Sequence, residues 1–133
     1  MLDDIDMVRS FRIQGIVFGA TLSKGGLDED FLEQLISHAF GLKKTLHRAV
    51  DTLNQTIDSV EIGIKLGFDT ILSSGGQKTA LEGLPVLSEM QSRAAGKITI
   101  MPGSGINPIS ARQILNQCPV SYTHLTLPTI LLV

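Results

Sequence analysis

The sequence predicts an α/β protein whose parallel sheet is built from about four βα units. Four apolar, strand-like runs recur roughly every 25 to 30 residues, and each is followed by a segment with helical periodicity. The strands are expected at residues 13–19, 44–48, 68–73 and 98–101. A hydrophobic content of 43% with 18% charged residues is typical of a chain that buries a core.

The first two connections have the pattern of amphipathic helices. After the first strand, acidic residues at 28–30 and Gly41 mark the two ends of a helix. Its expected buried stripe comprises Phe31, Leu32, Leu35, Ile36, Ala39 and Phe40. After the second strand, a stripe of Leu53, Ile57, Val60 and Ile64 stops at Gly67, which suits a left-handed helix end.

The last two connections begin with capping signals. Thr79 and Glu82 have capping-box spacing, but Pro85 would then lie inside the helix, so we expect a break near Gly83. After the fourth strand, Asn107 before a proline predicts an N-cap followed by the first helical residue. One face of this last helix comprises Ala111, Ile114, Leu115 and Cys118.

Residues 118–133 differ in character from residues 1–117, which we interpret as the domain. From residue 119 onward this tail has no charged residue, its βα rhythm is lost, and Pro128 interrupts the apolar pattern. It is interpreted as a doubtful C-terminal tail of the kind produced by a non-native run-on. The alternative, a genuine terminal strand over 120–125, stays open.

Composition argues against several classes of function. The net charge of -2, the pI near 5.8, the single tyrosine and the lack of tryptophan argue against nucleic-acid binding. Cys118 is the only cysteine, so no intrachain disulfide or Cys-x-x-Cys pair can form, which fits a reducing compartment. The acidic first residues and the lack of a long apolar run predict a cytoplasmic protein that makes no membrane contact.

The second strand ends in three candidate catalytic residues, His47, Arg48 and Asp51. Strand alternation places Thr45 and His47 on one face and the apolar Leu46 on the helix side, so His47 is expected at the mouth of the sheet. His47 could then act as an acid or base, with Asp51 or Arg48 orienting it or holding an anion. The alternative is a rim salt bridge between Arg48 and Asp51 beside a hydrogen-bonded histidine.

The third and fourth strands end in glycine and serine residues that could bind an anion. Ser74 and Gly75 follow the third strand, and Gly103, Ser104 and Gly105 follow the fourth. Backbone N–H groups between a strand and a helix N-terminus can hold a phosphate or carboxylate. The alternative is that tight βα turns use glycine for their geometry alone.

The residues themselves indicate no metal site. His38 is expected to be solvated near a helix C-terminus, and His124 belongs to the tail. Met7, Met90 and Met101 are dispersed, so no methionine and cysteine cluster of the kind that selects Cu(I) is formed.

Four short segments, in this order and spacing, resemble the CutC family of copper homeostasis proteins. They read Gln-Gly-Ile-Val-Phe-Gly at 14–19, Leu-His-Arg-Ala-Val-Asp at 46–51, Ile-Leu-Ser-Ser-Gly at 71–75 and Met-Pro-Gly-Ser-Gly-Ile at 101–106, supported by Ala-Leu-Glu-Gly-Leu-Pro at 80–85. The chain departs from the family pattern at Leu46, Val50 and Ser104, where phenylalanine, phenylalanine and glycine are usual.

The resemblance implies a TIM-like (β/α) barrel of which this chain holds only a part. The four strands look like the fourth to the seventh of the family, so the turn at Gly103 would lie where such barrels commonly bind phosphate. The family's first three strands and its eighth have no counterpart here. We therefore expect a truncated fragment in which Met1 is an internal methionine of a longer protein.

Three functions remain open. The family name implies copper homeostasis, with copper as a cofactor implied by resemblance alone. The alternative is an enzyme of the barrel class that acts on a small phosphorylated or carboxylated ligand, with His47 as acid or base and Arg48 as a charge clamp. The third alternative is a non-functional truncated fragment, and whether the chain is an enzyme stays undecided. Two open sheet edges also predict self-association.

Overall fold

A computed structural model describes residues 1–11 and 13–117 and contains one four-stranded parallel sheet. Neighbouring strands pair in sequence order, β1-β2-β3-β4, as the βα rhythm predicts. The strands are β1 (Gly15–Phe18), β2 (Lys43–Leu46), β3 (Thr70–Ser73) and β4 (Thr99–Pro102). Each lies within one to three residues of the bounds predicted from the sequence.

Helices α2 (Glu29–His38), α3 (Ser59–Leu66) and α4 (Leu84–Ala94) connect the strands, as expected for parallel pairing. Helix α1 (Leu2–Ser10) precedes β1, and α5 (Pro108–Gln117) follows β4. Two short 3₁₀ helices, Arg48–Thr52 and Thr56–Asp58, lie between β2 and α3.

Three of the predicted helix ends are confirmed. The Asp28 carboxylate accepts a hydrogen bond from the backbone N–H of Phe31 at 3.1 Å and caps α2. The Asn107 side chain caps α5 by accepting from the backbone N–H of Ser110 at 2.9 Å. Gly67 ends α3 with φ of +94°, a conformation that glycine adopts without steric cost.

The predicted break before α4 is also confirmed. Thr79 accepts from the backbone N–H of Glu82 at 3.3 Å, but the helix begins only at Leu84. Pro85 therefore lies in the first helical turn, where its missing N–H removes no intrahelical bond.

Two local expectations were wrong, and one helix was missed. Helix α1 was not predicted, although Asp3 in its first turn complements the helix dipole. Leu53 and Ile57 precede α3, because 3₁₀ turns take up this part of the connection. Phe40 lies beyond the end of α2 and is 78% exposed, since helical spacing no longer sets its direction there.

The core lies between the sheet and its helices. Leu46, Ile71 and Ile100 are register neighbours on β2, β3 and β4, and each is at most 1% exposed. Gly63 of α3 lies over this face, because a Cβ built on it would be 3.1 Å from Ile71 Cδ1. The prediction that Leu46 faces the helices is therefore confirmed, and alternation turns Thr45 to the opposite face.

Strands β1 and β4 form the two edges of the sheet within the described residues. The expectation of self-association concerns these edges and stays a prediction. No helix in this part of the chain is long and apolar enough to cross a membrane. The predictions for Cys118, His124, the strand over 120–125 and the tail concern residues outside the described part of the chain.

Candidate functional site

The carboxyl ends of the four strands meet at one edge of the sheet because the strands are parallel. The residues that follow them are Gly19, His47, Ser74 and Gly103. The sequence-predicted site residues therefore share this edge. We call residues 74–77 the β3 turn and residues 103–107 the β4 turn.

The carboxylate of Asp51 fills the β3 turn. Its Oδ1 accepts from Ser73 Oγ at 2.6 Å and from the backbone N–H of Gly76 at 3.2 Å. Its Oδ2 accepts from the backbone N–H of Ser74 at 3.0 Å, and Ser74 Oγ lies 2.9 Å from the same oxygen. Asp51 thus ties the segment after β2 to the end of β3.

Arg48 joins the same network. Its Nε donates to Asp51 Oδ2 at 2.8 Å, and its Nη2 donates to Ser74 Oγ at 2.9 Å. The Arg48 side chain is 41% exposed, whereas that of Asp51 is 8% exposed. This is the rim salt bridge that was left open as the alternative for these two residues.

The hydrogen bonds control the charge of Asp51. Burial alone would raise the pKa of the Asp51 carboxyl, because it disfavours the charged form. The hydrogen bonds from Ser73, Arg48 and Ser74 outweigh burial and hold the pKa of Asp51 below its ordinary value of 3.8. Asp51 is therefore a carboxylate at neutral pH.

The anion-binding interpretation of Ser74 and Gly75 needs correction. The N–H of Ser74 donates to Asp51, and the N–H of Gly75 donates to Ser73 Oγ at 2.9 Å. Both donors are therefore occupied within the chain. Gly75 is required for close packing, since a Cβ on it would be 2.4 Å from the carbonyl oxygen of Gly83. The turn does hold an anion, but that anion is Asp51.

His47 has a different partner from those proposed on sequence grounds. Its Nδ1 accepts from the backbone N–H of Ala49 at 3.1 Å and thereby caps the 3₁₀ helix that begins at Arg48. Neither Asp51 nor Arg48 makes a recorded hydrogen bond to its ring in the described part of the chain. The ring lies against Gly19, where an added Cβ would be 2.6 Å from His47 Cε1.

The β4 turn has open donors. The Ser104 hydroxyl donates to the carbonyl of Lys78 at 2.8 Å. The backbone carbonyl of Ser104 accepts from the N–H of Ala80 at 3.0 Å. Gly103 donates to the carbonyl of Ser73 at 2.8 Å. Within residues 1–11 and 13–117, no partner is recorded for the three consecutive N–H groups at residues 104–106.

The backbone of the β4 turn is held in an unusual conformation. Ser104 has φ of +82° and Gly105 has φ of +68°. A left-handed conformation is costly for a residue with a Cβ, so Ser104 is held there by its bonds to the segment after β3. Gly105 also packs against Thr79, whose Cγ2 would lie 2.9 Å from an added Cβ.

Two contributors to this edge were missed from the sequence. Ser73 is fully buried and bonds Asp51, although only its neighbour Ser74 was selected. Gly19 seats His47. Both follow from one available signal, the position of each residue at the carboxyl end of a strand.

A neighbouring cleft of about 290 Å³ suits an anion less well. Its polar lining includes Asn54, Gln55 and Gln77, but its only charged lining residue is Asp51. With no Lys or Arg side chain among the described residues of this lining, the cleft offers no positive charge to hold a phosphate group. The open donors of the strand ends are therefore the better candidate site.

The described residues do not fit a copper site. No group of three or more His, Cys, Asp or Glu side chains that could hold a metal ion occurs among them. Met90 is fully buried in α4, whereas Met7 is 64% exposed on α1. These side chains therefore do not form a thioether cluster that could hold Cu(I).

Comparisons with known proteins give a consistent result. The model of the CutC family matches residues 1–129. A relative named as a family protein CutC from Agrobacterium fabrum is 42% identical over 124 residues, covering 93% of this chain and 49% of the relative. A protein of the same name from Bacteroides fragilis is 40% identical with the same coverage.

A solved structure shows the same architecture. The crystal structure of a CutC protein from Streptococcus agalactiae, whose name assigns it to copper homeostasis, superposes with a TM-score of 0.84 at 24% identity. The match covers 90% of this chain and 59% of that chain. The chain spans about half the length of the curated relatives it matches, in agreement with a partial barrel.

Proposed function

This chain belongs to the CutC family, and we propose that it supplies a binding site for a small carboxylated or phosphorylated ligand at the carboxyl ends of its strands. One observation carries the proposal. Arg48 Nη1 and the N–H groups of residues 104–106 are donors without a recorded partner in the described chain. Carboxylate and phosphate oxygens are the acceptors that satisfy such donors.

The spacing of the donors suits a small metabolite. β2 and β4 flank β3, and adjacent strands lie about 5 Å apart, so the ends of β2 and β4 are about 10 Å apart. A ligand with two polar ends could bind Arg48 at one end and the β4 turn at the other. An isolated inorganic anion would contact only one of them.

The charge arrangement favours an anion although Arg48 is paired. Asp51 is almost completely buried and its oxygens are engaged with the β3 turn, so a ligand does not meet its charge directly. The guanidinium of Arg48 is the more exposed partner, and Asp51 fixes its orientation through Nε. Pre-orientation lowers the entropic cost of binding.

We further propose a broad role in copper homeostasis for the protein of which this sequence forms part. Its support is the family membership and the name of the Streptococcus agalactiae structure. The described residues offer no ligand set for copper, so the proposal includes no copper coordination by them. A ligand-binding barrel could act in such a role as a binding protein or as an enzyme.

The anion site can be tested by thermal shift of the 133-residue chain against phosphorylated sugars, dicarboxylates and inorganic phosphate. We expect at least one organic anion to raise the melting temperature of the parent chain and of Arg48→Lys more than that of Arg48→Ala. Arg93→Ala is the matched control, because Arg93 is also 41% exposed and pairs only with carboxylates on helices or at their ends.

Two outcomes would contradict the anion site. No stabilisation of the parent chain by any anion would remove the proposal. Equal stabilisation of Arg48→Ala and Arg93→Ala would show that an observed anion binds elsewhere.

Copper coordination is tested separately by competition with a chromogenic Cu(I) chelator. We expect the chain to lose Cu(I) to a competitor of micromolar affinity, because its described methionines are dispersed. Cys118→Ser is the informative variant, since Cys118 is the only thiol. A stoichiometric site that survives the competitor would overturn this expectation, and its loss in Cys118→Ser would locate it.

A further inference from the structure

We infer that the neutral His47 ring carries its proton on Nε2 and serves the site as a hydrogen-bond donor. The inference deepens the proposed function and rests on it for the identity of the acceptor. It rests on the bond from Ala49 and on the packing against Gly19, and His38 provides an internal reference.

The bond to Ala49 determines which ring nitrogen carries the proton. A backbone N–H can only donate, so the 3.1 Å contact from Ala49 requires a lone pair on His47 Nδ1. A neutral imidazole with a bare Nδ1 has its hydrogen on Nε2. Proton uptake at Nδ1 would break the cap of the 3₁₀ helix.

Gly19 keeps the ring in this position. A Cβ on Gly19 would be 2.6 Å from His47 Cε1 and 2.7 Å from Nδ1, closer than real Cβ contacts. The backbone of Gly19 does not require left-handed geometry, so the need for glycine here is one of space. Gly19 is therefore a positioning residue that acts through His47.

His38 shows the opposite arrangement and provides an internal reference. Its Nδ1 lies 3.0 Å from the backbone carbonyl of Gln34. A carbonyl can only accept, so Nδ1 of His38 carries a proton. The two histidines are thus expected to differ in the protonation of the same ring atom.

The chemical consequence concerns the ligand. The Nε2–H of His47 and the Nη1 hydrogens of Arg48 are both donors, and no partner is recorded for either within the described residues. The matching ligand group is one that only accepts, such as a carboxylate, a phosphate or a carbonyl oxygen. With Nδ1 occupied and Nε2 protonated, His47 can donate a hydrogen bond but has no free lone pair with which to remove a proton.

The tautomer can be measured without any ligand. Long-range ¹H–¹⁵N correlation spectra of the ¹⁵N-labelled chain, recorded at a pH where both rings are neutral, distinguish a bare from a protonated Nδ1. Spectra of His47→Gln and His38→Gln assign the signals. We expect a bare Nδ1 for His47 and a protonated Nδ1 for His38. A protonated or rapidly averaging Nδ1 in His47 would overturn the inference.

Gly19→Ala tests the positioning role with the same spectra. We expect the His47 signals to shift toward averaged tautomers while those of His38 stay unchanged. An unchanged His47 tautomer in a folded Gly19→Ala variant would overturn the role of Gly19. If that variant does not fold, the spectra of the parent chain still decide the tautomer.

Ligand titration then separates this inference from the proposed function. For the anion found by thermal shift, we expect His47→Ala to raise the dissociation constant about tenfold or more, and His47→Gln, which keeps an N–H donor, to raise it less. Equal losses in the two variants would contradict the donor role. If the spectra show the expected tautomer but no anion binds, the proposed function is wrong and the inference about the His47 tautomer stands.

Discussion

The β3 turn and the β4 turn have nearly the same composition but opposite chemistry. Both place glycine and serine between a parallel strand and a helix, at the same edge of the sheet. In the β3 turn the backbone donors bind the carboxylate of Asp51. In the β4 turn three consecutive N–H groups have no recorded partner in the described chain, and residues 105 and 106 are exposed.

The difference shows that a glycine-rich turn does not by itself indicate a ligand site. What decides is whether another part of the chain brings a charge into the turn. Asp51 does so for the β3 turn from 23 residues before Ser74, whereas no carboxylate is recorded on the backbone of the β4 turn within the described residues. The donors of the first turn are therefore occupied within the chain, whereas those of the second have no recorded partner among the described residues.

The largest expected effect comes from emptying the β3 turn. Asp51→Ala leaves Ser73, Ser74, Gly76 and Arg48 without their shared acceptor, and we expect it to lower the free energy of unfolding by about 3–5 kcal/mol. Urea denaturation measures this. Asp58→Ala is the control, because Asp58 is 60% exposed and should cost less than about 1 kcal/mol. Equal losses would contradict the structural role of Asp51.

Acid titration should reveal the same interaction more gradually. The pKa of Asp51 is lower in the folded chain than the ordinary 3.8, so the unfolded chain binds more protons in this range. The stabilisation from Asp51 is complete above the unfolded pKa and is lost as pH falls through the folded pKa. Urea midpoints measured from pH 6 downward should therefore fall less in Asp51→Asn than in the parent chain. Parallel declines would contradict this assignment.

A smaller effect is expected when an added anion binds the β3 turn after its own carboxylate has been removed. Once Asp51→Ala has removed the carboxylate, the same donors are available to formate, which can occupy part of the vacated space. We expect formate to raise the melting temperature of Asp51→Ala more than that of the parent chain, with chloride at equal ionic strength as control. Equal responses would show that the turn collapses when it is emptied.

The smallest effects are expected from the same substitution at one serine of each turn. Ser104→Gly relieves a left-handed serine, but it also removes the hydroxyl bond to the Lys78 carbonyl and increases the freedom of the unfolded chain. We expect these opposing effects to leave a net change in stability within about 1 kcal/mol and to retain anion binding. Ser74→Gly removes a buried hydroxyl that accepts from Arg48, at a cost of about 1–3 kcal/mol. Urea denaturation of both variants checks the order, and a reversed order would contradict the comparison.

Local signals in the sequence determined much of the fold. Asp28 and Asn107 cap helices through residues two or three positions away, and Gly67 ends a helix by its own conformational freedom. The strands followed from apolar runs, and Leu46 was placed correctly by strand alternation together with its apolar side chain. Four short motifs identified the family that the family model matches over residues 1–129.

Only the tertiary structure decided the partners at the strand ends. From the sequence, Asp51 could have bound His47, a ligand or Arg48. The pairing of β2 with β3 brings its carboxylate within hydrogen-bond distance of Ser73 and Ser74. Likewise, the pairing of β1 with β2 placed Gly19 under His47 from 28 residues away. Capping and periodicity depend on neighbours within about one helical turn, which a sequence displays directly. Hydrogen bonds between strand ends depend on register and on competition among several donors and acceptors, and these are fixed only when the sheet assembles.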